Sequence, residues 1–448
     1  MVLPGILAGM MRATSWLAQG ATAYLVAIRL FLCLLSLTTI YTAFKTGERL
    51  LDGRAALLCG VICAFWYELI YFSPRALAEV VAAHIFIVAI YLAVFAVDAL
   101  PSITDSRSWP SLGSRLANTS ISRYFLAGLL ASTALMLRLQ LAPAVGVLVL
   151  YSCGKDWRDK WLPMIAGAIP PVLVFGAVDW ITWSYPFQSI FLNFDINLLQ
   201  HKAAQFGTQP FDFYIRKWLT YLGPMLLFSV IGAVTVKRAR ILGYLALAVV
   251  VPHSMLAHKE PRYIYPALPL MLILAGLGIW QCATWIRENT KWKSEWQPAL
   301  LLLVLAGGIT SLLDVPKMHW HNRTGVYRSM QHLSHTPDAC GVALYGVDWS
   351  NSGGYTYLHK DVPIFVTTVE FPYVPISRSA ANTIGNWMNF DAMSPSFNYV
   401  VAETPLPTSL HGYSPIRCWQ EACLYKRPGT CATTPGYSTS ELLRLMNK

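Results

Sequence analysis

The sequence predicts a polytopic α-helical membrane protein that ends in a small mixed α/β domain. Of its 448 residues, 55% are apolar and only 13% are charged, and its mean hydropathy is +0.45. Soluble proteins carry about 25% charged residues. The composition therefore excludes a disordered chain, a collagen-like fibre and a simple soluble enzyme of two or three domains. The net charge of +11 is interpreted as the basic bias of cytoplasmic loops and not as a nucleic-acid surface, because no aromatic-basic RNA motif accompanies it.

The predicted membrane segments are apolar runs close to the length of about 20 residues that a helix needs to cross the hydrocarbon core. The clear runs lie at roughly 20–44, 55–72, 78–98, 161–183, 217–236, 241–257, 263–285 and 297–313.

The stretch 124–152 is too long for one upright helix, and Arg138-Leu139-Gln140 interrupts it. We predict two short segments that meet at this polar point, which brings the total to about ten. With this hairpin, the basic loops all fall on one side, which is therefore predicted to be cytoplasmic. Their charges are Lys45, Arg49 and Arg54; Arg107, Arg115 and Arg123; Lys155, Arg158 and Lys160; Lys237, Arg238 and Arg240; and Arg287, Lys291 and Lys293.

The opposite, non-cytoplasmic side receives a different set of segments. It collects 71–79, 138–140, 184–216, 258–262 and everything after about 314. These segments mix charges with aromatic residues and prolines. Any one of them, taken alone, is equally well interpreted as an ordinary connecting loop.

The predicted C-terminal domain, 314–448, has no spanning run and follows a transmembrane domain at 1–313. Its short apolar stretches at 342–347, 362–366 and 399–402 indicate strands. It also holds four of the nine cysteines, and an even number on the non-cytoplasmic side favours disulfides. A lone metal half-site at Cys418 and Cys423 is the less favoured alternative, because no partner pair follows at zinc spacing. Sequons for N-glycosylation begin at Asn118, predicted inside, and at Asn322, predicted outside.

The start of the chain conflicts with the predicted orientation, which puts Met1 on the non-cytoplasmic side. Residues 1–20 contain no basic region followed by a cleavage-site pattern. We therefore expect that a further span and its outer loop precede this chain in the complete protein.

The strongest functional signal is the hexapeptide HKEPRY at 258–263, which lies at a membrane boundary between two apolar spans. Four ionisable residues within five positions are costly there unless they are paired or hydrated, and such clusters are functional by default. The alternative is a solvated turn whose lysine reaches the headgroups.

This hexapeptide resembles the signature HKE-x-R-[FY] of the membrane mannosyltransferases of glycosyltransferase family 22. Supporting similarities are IYPALP at 264–269, NF at 193–194 followed by FGTQP at 206–210 and FY at 213–214, LRLQ at 137–140 and SPRAL at 73–77. The resemblance covers roughly residues 1–315, and Glu79 replaces an asparagine that is usual in the family.

The resemblance implies a GT-C type bundle and the inverting transfer of mannose from a polyprenyl- or dolichyl-phosphate donor to a glycan or glycolipid. The reaction is expected at the non-cytoplasmic face, without a cofactor or an essential metal, in contact with membrane lipids and without nucleic acid. The membrane is then that of the endoplasmic reticulum in a eukaryote, or the cytoplasmic membrane in a bacterium. A carboxylate has to take the acceptor proton, and cations have to stabilise the leaving lipid phosphate.

Each candidate residue has a predicted role. Donor phosphate binding is assigned to His258, Lys259, Arg262, Arg138 and Arg75. Contacts to sugar or acceptor are assigned to Gln140, Asp195, Gln209, Tyr214 and Glu79. Glu260 is expected to hold Lys259 or Arg262 in place rather than to act as the base.

The family's first acidic loop, which carries its presumed catalytic carboxylate, has no counterpart in this sequence, so the catalytic base is not assigned. A catalytically impaired member or a non-enzymatic membrane subunit is therefore a rival interpretation. A transporter is a weaker rival, because the sequence shows no two related halves.

Overall fold

The computed structural model describes residues 2–17, 21–96, 120–200, 202–318, 320, 323–347, 352–366, 394–403, 405–406 and 412–432. The end of the predicted segment 78–98, the sequon at Asn118 and the asparagine of the sequon at Asn322 lie outside these residues. The chain divides into two compact units, one formed by Met1–Ala8 and Ile28–Met318 and the other by Gly9–Ala27 and His319–Lys448.

The first part of the chain contains helices and no strands among its described residues. In chain order its α-helices are α1 (Val2–Thr14), α2 (Ala21–Leu50), α3 (Gly53–Phe65), α4 (Tyr67–Phe72), α5 (Ala78–Ile90), α6 (Ser120–Leu137), α7 (Ala142–Cys153), α8 (Leu162–Thr182), α9 (Gln188–Phe194), α10 (Phe213–Tyr221), α11 (Met225–Thr235), α12 (Arg240–Met255), α13 (Leu268–Asn289), α14 (Trp296–Leu303) and α15 (Ile309–Asp314).

Six helical stretches are long and apolar enough to cross a membrane. They are Ala21–Leu50, Ala78–Phe95, Ser120–Leu137, Trp157–Thr182, Pro261–Asn289 and Trp296–Lys317. Helices α10 and α11 form a seventh span if they count together, although they bend by 99°. Each of these stretches overlaps a predicted segment, whereas the total of about ten segments stays a prediction.

The helix is interrupted at Arg138, as the polar residues within the apolar stretch 124–152 predicted. Helix α6 ends at Leu137, Arg138 is extended (φ −147°, ψ 91°), and the turn Leu139–Leu141 leads into α7. Pro143 lies in the first turn of α7, where a missing N–H costs nothing.

The predictions missed two other breaks and one helix. The predicted segment 55–72 is divided at Trp66, whose backbone is extended between α3 and α4. The predicted segment 217–236 bends at Gly223-Pro224, because Gly223 has a φ of +49°. The short apolar helix α1 was not predicted.

Two helix pairs in the first unit approach each other through glycines. On α6 and α8, a Cβ at Gly128 would lie 2.0 Å from the Met164 carbonyl oxygen, and a Cβ at Gly167 would lie 1.9 Å from that of Phe125. Only glycine permits so close an approach of two backbones, as in small-residue packing between membrane helices. Gly232 on α11 and Gly278 on α13 are matched in the same way, at 2.1 and 2.0 Å from opposing carbonyl oxygens.

The second unit contains a five-stranded mixed sheet. Its strands are β1 (Val342–Tyr345), β2 (Ile364–Val366), β3 (Tyr399–Ala402), β4 (Ser414–Trp419) and β5 (Ala422–Lys426), in the spatial order β2-β1-β3-β5-β4. Strand β1 pairs in parallel with β2 and β3, whereas β5 is antiparallel to β3 and β4.

The remaining helices of this unit are α16 (Thr324–Ser334) and α17 (Gly354–Leu358). The apolar face of α16 supplies Val326, Met330 and Leu333 to the buried core, which it shares with the central strands. Strands β1, β2 and β3 coincide with the apolar stretches that predicted strands, whereas β4 and β5 were not predicted.

The four C-terminal cysteines pair as Cys340–Cys431 and Cys418–Cys423. The second pair joins facing positions of the antiparallel strands β4 and β5. Both cysteines of the alternative metal half-site are therefore used in a disulfide. The other five cysteines are free thiols.

Candidate functional site

The candidate site is built around residues 256–263, which connect α12 to α13. Leu256 is extended at the end of α12, and Glu260 is extended just before the 3-10 turn Pro261–Ala267. Pro261 suits the first position of that turn because its φ is already fixed. The first turn of α5 and the break after α6 pack near this connection.

Glu260 is the centre of the first set of contacts. Its Oε1 accepts hydrogen bonds from Arg262 Nη2 at 3.1 Å and from the Tyr263 hydroxyl at 2.9 Å, and His258 Nε2 lies 3.3 Å away. Its Oε2 lies 2.7 Å from Arg262 Nε. Burial alone would raise the pKa of Glu260, but the hydrogen bonds from Arg262 and Tyr263 and the attraction to Arg262 lower this pKa below its usual value.

Glu79 links two arginines that are far apart in the sequence. Its Oε1 lies 3.1 Å from Arg138 Nη2 and 3.9 Å from Arg262 Nε. Glu79 is buried in the first turn of α5, and the Arg138 guanidinium lies 4.8 Å from the centre of the Tyr263 ring. An ionised carboxylate is tolerated at such a position when it is paired.

Lys259 fastens a neighbouring loop to this cluster. It is buried, and its Nζ donates to the carbonyl oxygens of Gln209, at 2.8 Å, and Leu256. Burial lowers the pKa of Lys259. The Gln209 N–H donates to the Ala257 carbonyl at 3.0 Å, and His258 Nδ1 donates to the Gly207 carbonyl at 2.9 Å.

The charges of the cluster do not cancel. The cluster and the lysine that borders it carry three cations, on Arg138, Arg262 and Lys259, and two carboxylates, on Glu79 and Glu260. Among the described residues, the Lys259 ammonium donates its hydrogen bonds to carbonyl oxygens and not to carboxylates. The cluster therefore has an excess of positive charge that suits an anionic ligand.

A cavity of about 530 Å³ lies beside the cluster. This volume falls within the range of about 300–1,000 Å³ that is usual for small-ligand sites. The cavity is lined by Arg138, Leu139, Gln140, Asn193, Phe194, Asn197, Ala203, Ala204, His253, Met255, Leu256, Ala257, His258 and Tyr263. Within the described part of the chain, the buried Nε of Arg138 has no hydrogen-bond partner.

Most of the predicted site residues therefore come together. Arg138, Glu79, His258, Glu260 and Arg262 form one network of contacts, and Lys259 and the Gln209 backbone border it. Gln140 lines the cavity. The buried Tyr214 is a support of the connection, because its hydroxyl donates to the Glu260 carbonyl oxygen at 3.2 Å.

Two predicted residues make other contacts. The Arg75 guanidinium lies 3.4 Å from the centre of the Tyr71 ring and donates to the Tyr71 carbonyl oxygen. Asp195 accepts a hydrogen bond of 2.6 Å from Gln200 on the exposed surface, and it does not line the cavity.

The prediction missed three polar residues of the cavity wall: Asn193, Asn197 and His253. Asn193 belongs to a loop element that carried the resemblance, so a signal for it was present. His253 is embedded in an apolar helix, where a single histidine gives no sequence signal.

The predicted absence of an essential metal stays a prediction. Within the ranges that the structure describes, three or more His, Cys, Asp or Glu side chains are nowhere grouped so as to hold a metal ion.

The comparison with known families decides which family this chain belongs to. Residues 1–359 match the model of the Alg9-like mannosyltransferase family. The chain belongs to this family. This assignment confirms the resemblance to the family 22 mannosyltransferases that the sequence indicated.

Relatives within this mannosyltransferase family share a limited part of their length with the chain. It is 32% identical to GPI mannosyltransferase 3 of Yarrowia lipolytica over 203 residues, which are 45% of this chain and 37% of that protein. It is 28% identical to GPI alpha-1,2-mannosyltransferase 3 of Bos taurus over 178 residues, which are 39% of this chain and 30% of that protein. The chain thus spans about a third of the length of these curated relatives.

A solved structure supports the fold of this family member. The crystal structure of ArnT from Cupriavidus metallidurans bound to undecaprenyl phosphate matches 91% of this chain and 85% of its own, with a TM-score of 0.53 and 13% identity. At this identity the likeness shows the fold alone, which is a helical membrane bundle of the GT-C type. Together with the apolar helices and the membrane relatives, it shows that the chain is an integral membrane protein.

Proposed function

We propose that this member of the family transfers mannose from a polyprenyl- or dolichyl-phosphate donor to a hydroxyl of a glycan or glycolipid. The new bond forms between the acceptor oxygen and the anomeric carbon. The bond from that carbon to the phosphate oxygen breaks, and the lipid phosphate leaves with the electron pair. The acceptor proton passes to a base that we do not assign.

The observation that carries this proposal is Arg138 at the cavity. Its Nε is buried and unpartnered among the described residues, while its Nη2 is held by Glu79. An arginine that is held on one side and keeps an unpaired N–H on the other is suited to a phosphate oxygen, because a charge-assisted hydrogen bond is stronger than a neutral one. The excess positive charge of the cluster favours the same ligand.

The other members of the cluster act as supports in this proposal. Glu260 holds Arg262 and Tyr263, and Lys259 holds the loop that carries Gln209. Gln140 and Asn193 line the cavity and can bind sugar hydroxyls. Arg75 and Asp195 have no assigned role, because the structure does not place them at the cavity.

The site is proposed to face the non-cytoplasmic side, where a lipid-linked sugar meets it at the membrane boundary. The four C-terminal cysteines support this orientation. They form two disulfides, and disulfides are typical of the non-cytoplasmic side of a membrane. The membrane is proposed to be that of the endoplasmic reticulum if the host is eukaryotic, and the cytoplasmic membrane if it is bacterial.

A second candidate is a protein that binds the lipid phosphate without transferring sugar. The observation in its favour is that both carboxylates of the cluster, Glu79 and Glu260, are already engaged by arginines. Neither is therefore placed as a free base for the acceptor proton.

The test separates binding from transfer with the purified full chain in lipid nanodiscs. Binding of radiolabelled polyprenyl phosphate is measured first, followed by transfer of labelled mannose from polyprenyl-phosphate mannose to a synthetic mannosyl glycolipid. We expect Arg138→Gln to weaken lipid-phosphate binding by roughly tenfold to a hundredfold, the equivalent of about 1.5–3 kcal/mol.

Arg216→Gln is the matched control, because Arg216 is an exposed arginine that pairs with Asp212 one helical turn away. It should bind like the parent chain. Failure of the parent to bind lipid phosphate would refute the proposed function. Equal binding by the parent and Arg138→Gln would refute the site, and binding without transfer would favour the second candidate.

A further inference from the structure

His253 is a polar residue of the cavity that the proposed mechanism has not yet used. It lies in the last turn of α12, it is only 3% exposed, and it lines the cavity. Its ring contacts two aromatic rings, with centroid distances of 6.4 Å to Tyr214 and 6.2 Å to Tyr263. The surrounding packing therefore fixes the position of the imidazole.

The hydrogen bond of the other ring nitrogen sets the chemistry of this imidazole. Nδ1 lies 2.7 Å from the Val249 carbonyl oxygen. A carbonyl oxygen only accepts, so Nδ1 carries the proton. In the neutral ring, Nε2 is then a hydrogen-bond acceptor.

This Nε2 has no partner within the described residues, although it is buried. A buried polar atom without a partner is costly, and such atoms are rare in folded proteins. A second proton on the ring would place an unpaired charge in the same position, which costs still more. The arrangement is explained if a ligand in the cavity supplies the missing donor.

The acceptor character of Nε2 selects among the groups that a lipid-linked sugar offers. The phosphate that joins the sugar to its carrier is ionised and has no proton to donate, so its oxygens would repel the Nε2 lone pair. A sugar hydroxyl has a proton to donate. In the same cavity, the unpartnered Nε–H of Arg138 is a donor, which suits an oxygen of the phosphate.

We propose that His253 Nε2 accepts a hydrogen bond from a sugar hydroxyl bound in the cavity, and that it thereby makes binding depend on the sugar and not only on the lipid phosphate. The inference rests on the proposed function and adds a positioning residue to it. The hydroxyl belongs either to the mannose of the donor or to the acceptor glycan, and both sources share this chemistry.

The test compares two substitutions in the full chain in nanodiscs. His253→Phe keeps an aromatic ring but removes the acceptor, and His253→Gln restores an acceptor near the end of a side chain of similar length. The probes are polyprenyl phosphate, polyprenyl-phosphate mannose, its monodeoxy-mannose analogues, and methyl α-mannoside as a competitor that mimics the acceptor.

For a donor hydroxyl, we expect the parent to bind polyprenyl-phosphate mannose roughly tenfold more tightly than the analogue that lacks this hydroxyl. His253→Phe should bind both equally, His253→Gln should recover part of the difference, and both variants should bind the sugarless lipid like the parent. If the hydroxyl belongs to the acceptor glycan, the substitution His253→Phe should instead weaken the competition by methyl α-mannoside, again by roughly tenfold. Unchanged binding of the sugarless lipid shows that each variant is folded.

The outcomes separate this inference from the proposed function. If the parent binds no polyprenyl phosphate, the proposed function and this inference are both wrong. Suppose that the parent binds polyprenyl phosphate, and that His253→Phe keeps both the parent's preference for polyprenyl-phosphate mannose over the deoxy analogue and the parent's competition by methyl α-mannoside. The role of His253 is then wrong and the proposed function stands. If only one of the two dependences is lost in His253→Phe, the inference holds and the source of the hydroxyl is identified.

Discussion

The ion pair between Glu79 and Arg138 should contribute measurably to folding because both side chains are largely withdrawn from water. The closest nitrogen and oxygen lie 3.1 Å apart, and the side chains are 6% and 19% exposed. Two unit charges about 4 Å apart attract by about 4 kcal/mol at an effective dielectric constant of 20. Breaking a buried pair by removing one partner costs about 3–5 kcal/mol.

We expect Glu79→Gln to reduce the free energy of unfolding by about 2–4 kcal/mol, somewhat less than for a fully buried pair. Arg138 retains some contact with solvent, which offsets part of the loss. Arg138→Gln should cost a similar amount. Because each substitution removes the same contact, the double variant should be less destabilised than the sum, with a coupling energy of about 1–3 kcal/mol.

The assay is a double-mutant cycle on the purified full chain in detergent, followed by reversible chemical unfolding with tryptophan fluorescence as the signal. The matched control is the pair Asp212–Arg216, which is closer, at 2.6 Å, but 43% and 70% exposed. Exposed pairs of this spacing contribute about 0.3–0.5 kcal/mol. A Glu79–Arg138 coupling energy no greater than that of the control would refute the argument from burial.

Three further perturbations test other parts of the molecule. Gly128→Ala should destabilise the packing of α6 on α8 by about 2 kcal/mol or more, since its Cβ would meet the Met164 carbonyl oxygen at 2.0 Å; thermal unfolding of the full chain measures this, and an unchanged midpoint would contradict the close approach. Removing the Cys340–Cys431 disulfide, which spans 91 residues, should destabilise the second unit by roughly 4–5 kcal/mol, because the unfolded chain gains entropy. The test is limited proteolysis after substitution of both cysteines by alanine. The absence of new cleavage would argue against this destabilisation. Because the pKa of Glu260 is lowered in the folded protein, its contribution to stability is complete above about pH 4.3, the pKa of an unfolded glutamic acid, and is lost as the pH falls through the lower folded pKa. The difference in the free energy of unfolding between the parent and Glu260→Gln should therefore be constant from pH 8 to 5 and shrink below pH 4. A difference that already shrinks at pH 6 would be inconsistent with the lowered pKa.

The helical part of the fold was predictable because apolar runs of fixed length are a strong signal. The break at Arg138 was predictable for the same reason, because Arg138 and Gln140 place two polar side chains inside such an apolar run. The extended residue at Trp66 was not, because neither Gly nor Pro stands beside it and the single charge nearby, Glu68, does not by itself indicate a break. The bend at Gly223-Pro224 carried a turn signal that was overlooked.

The chemistry of the candidate site was predictable only where residues are close in the sequence. The cluster at 258–262 was found from its own pattern, whereas the ion pair of Glu79 with Arg138 joins residues on α5 and after α6 that only the packing of the helices brings together. Arg75 shows the reverse case, because it contacts Tyr71, which is four residues away in the sequence. The disulfide pairing was open in the sequence, since four cysteines allow three connectivities.

The reciprocal glycines of the first unit have a consequence for how its helices can vary. Where α6 packs on α8, each helix presents its glycine to a carbonyl oxygen of the other. The same close approach therefore constrains both helices. A side chain gained on either helix would push the two axes apart, and no change on the opposite helix could restore the lost space, because what it meets there is main chain. Replacing one of these helices with its counterpart from a relative should therefore succeed only where that counterpart brings a glycine in the same register.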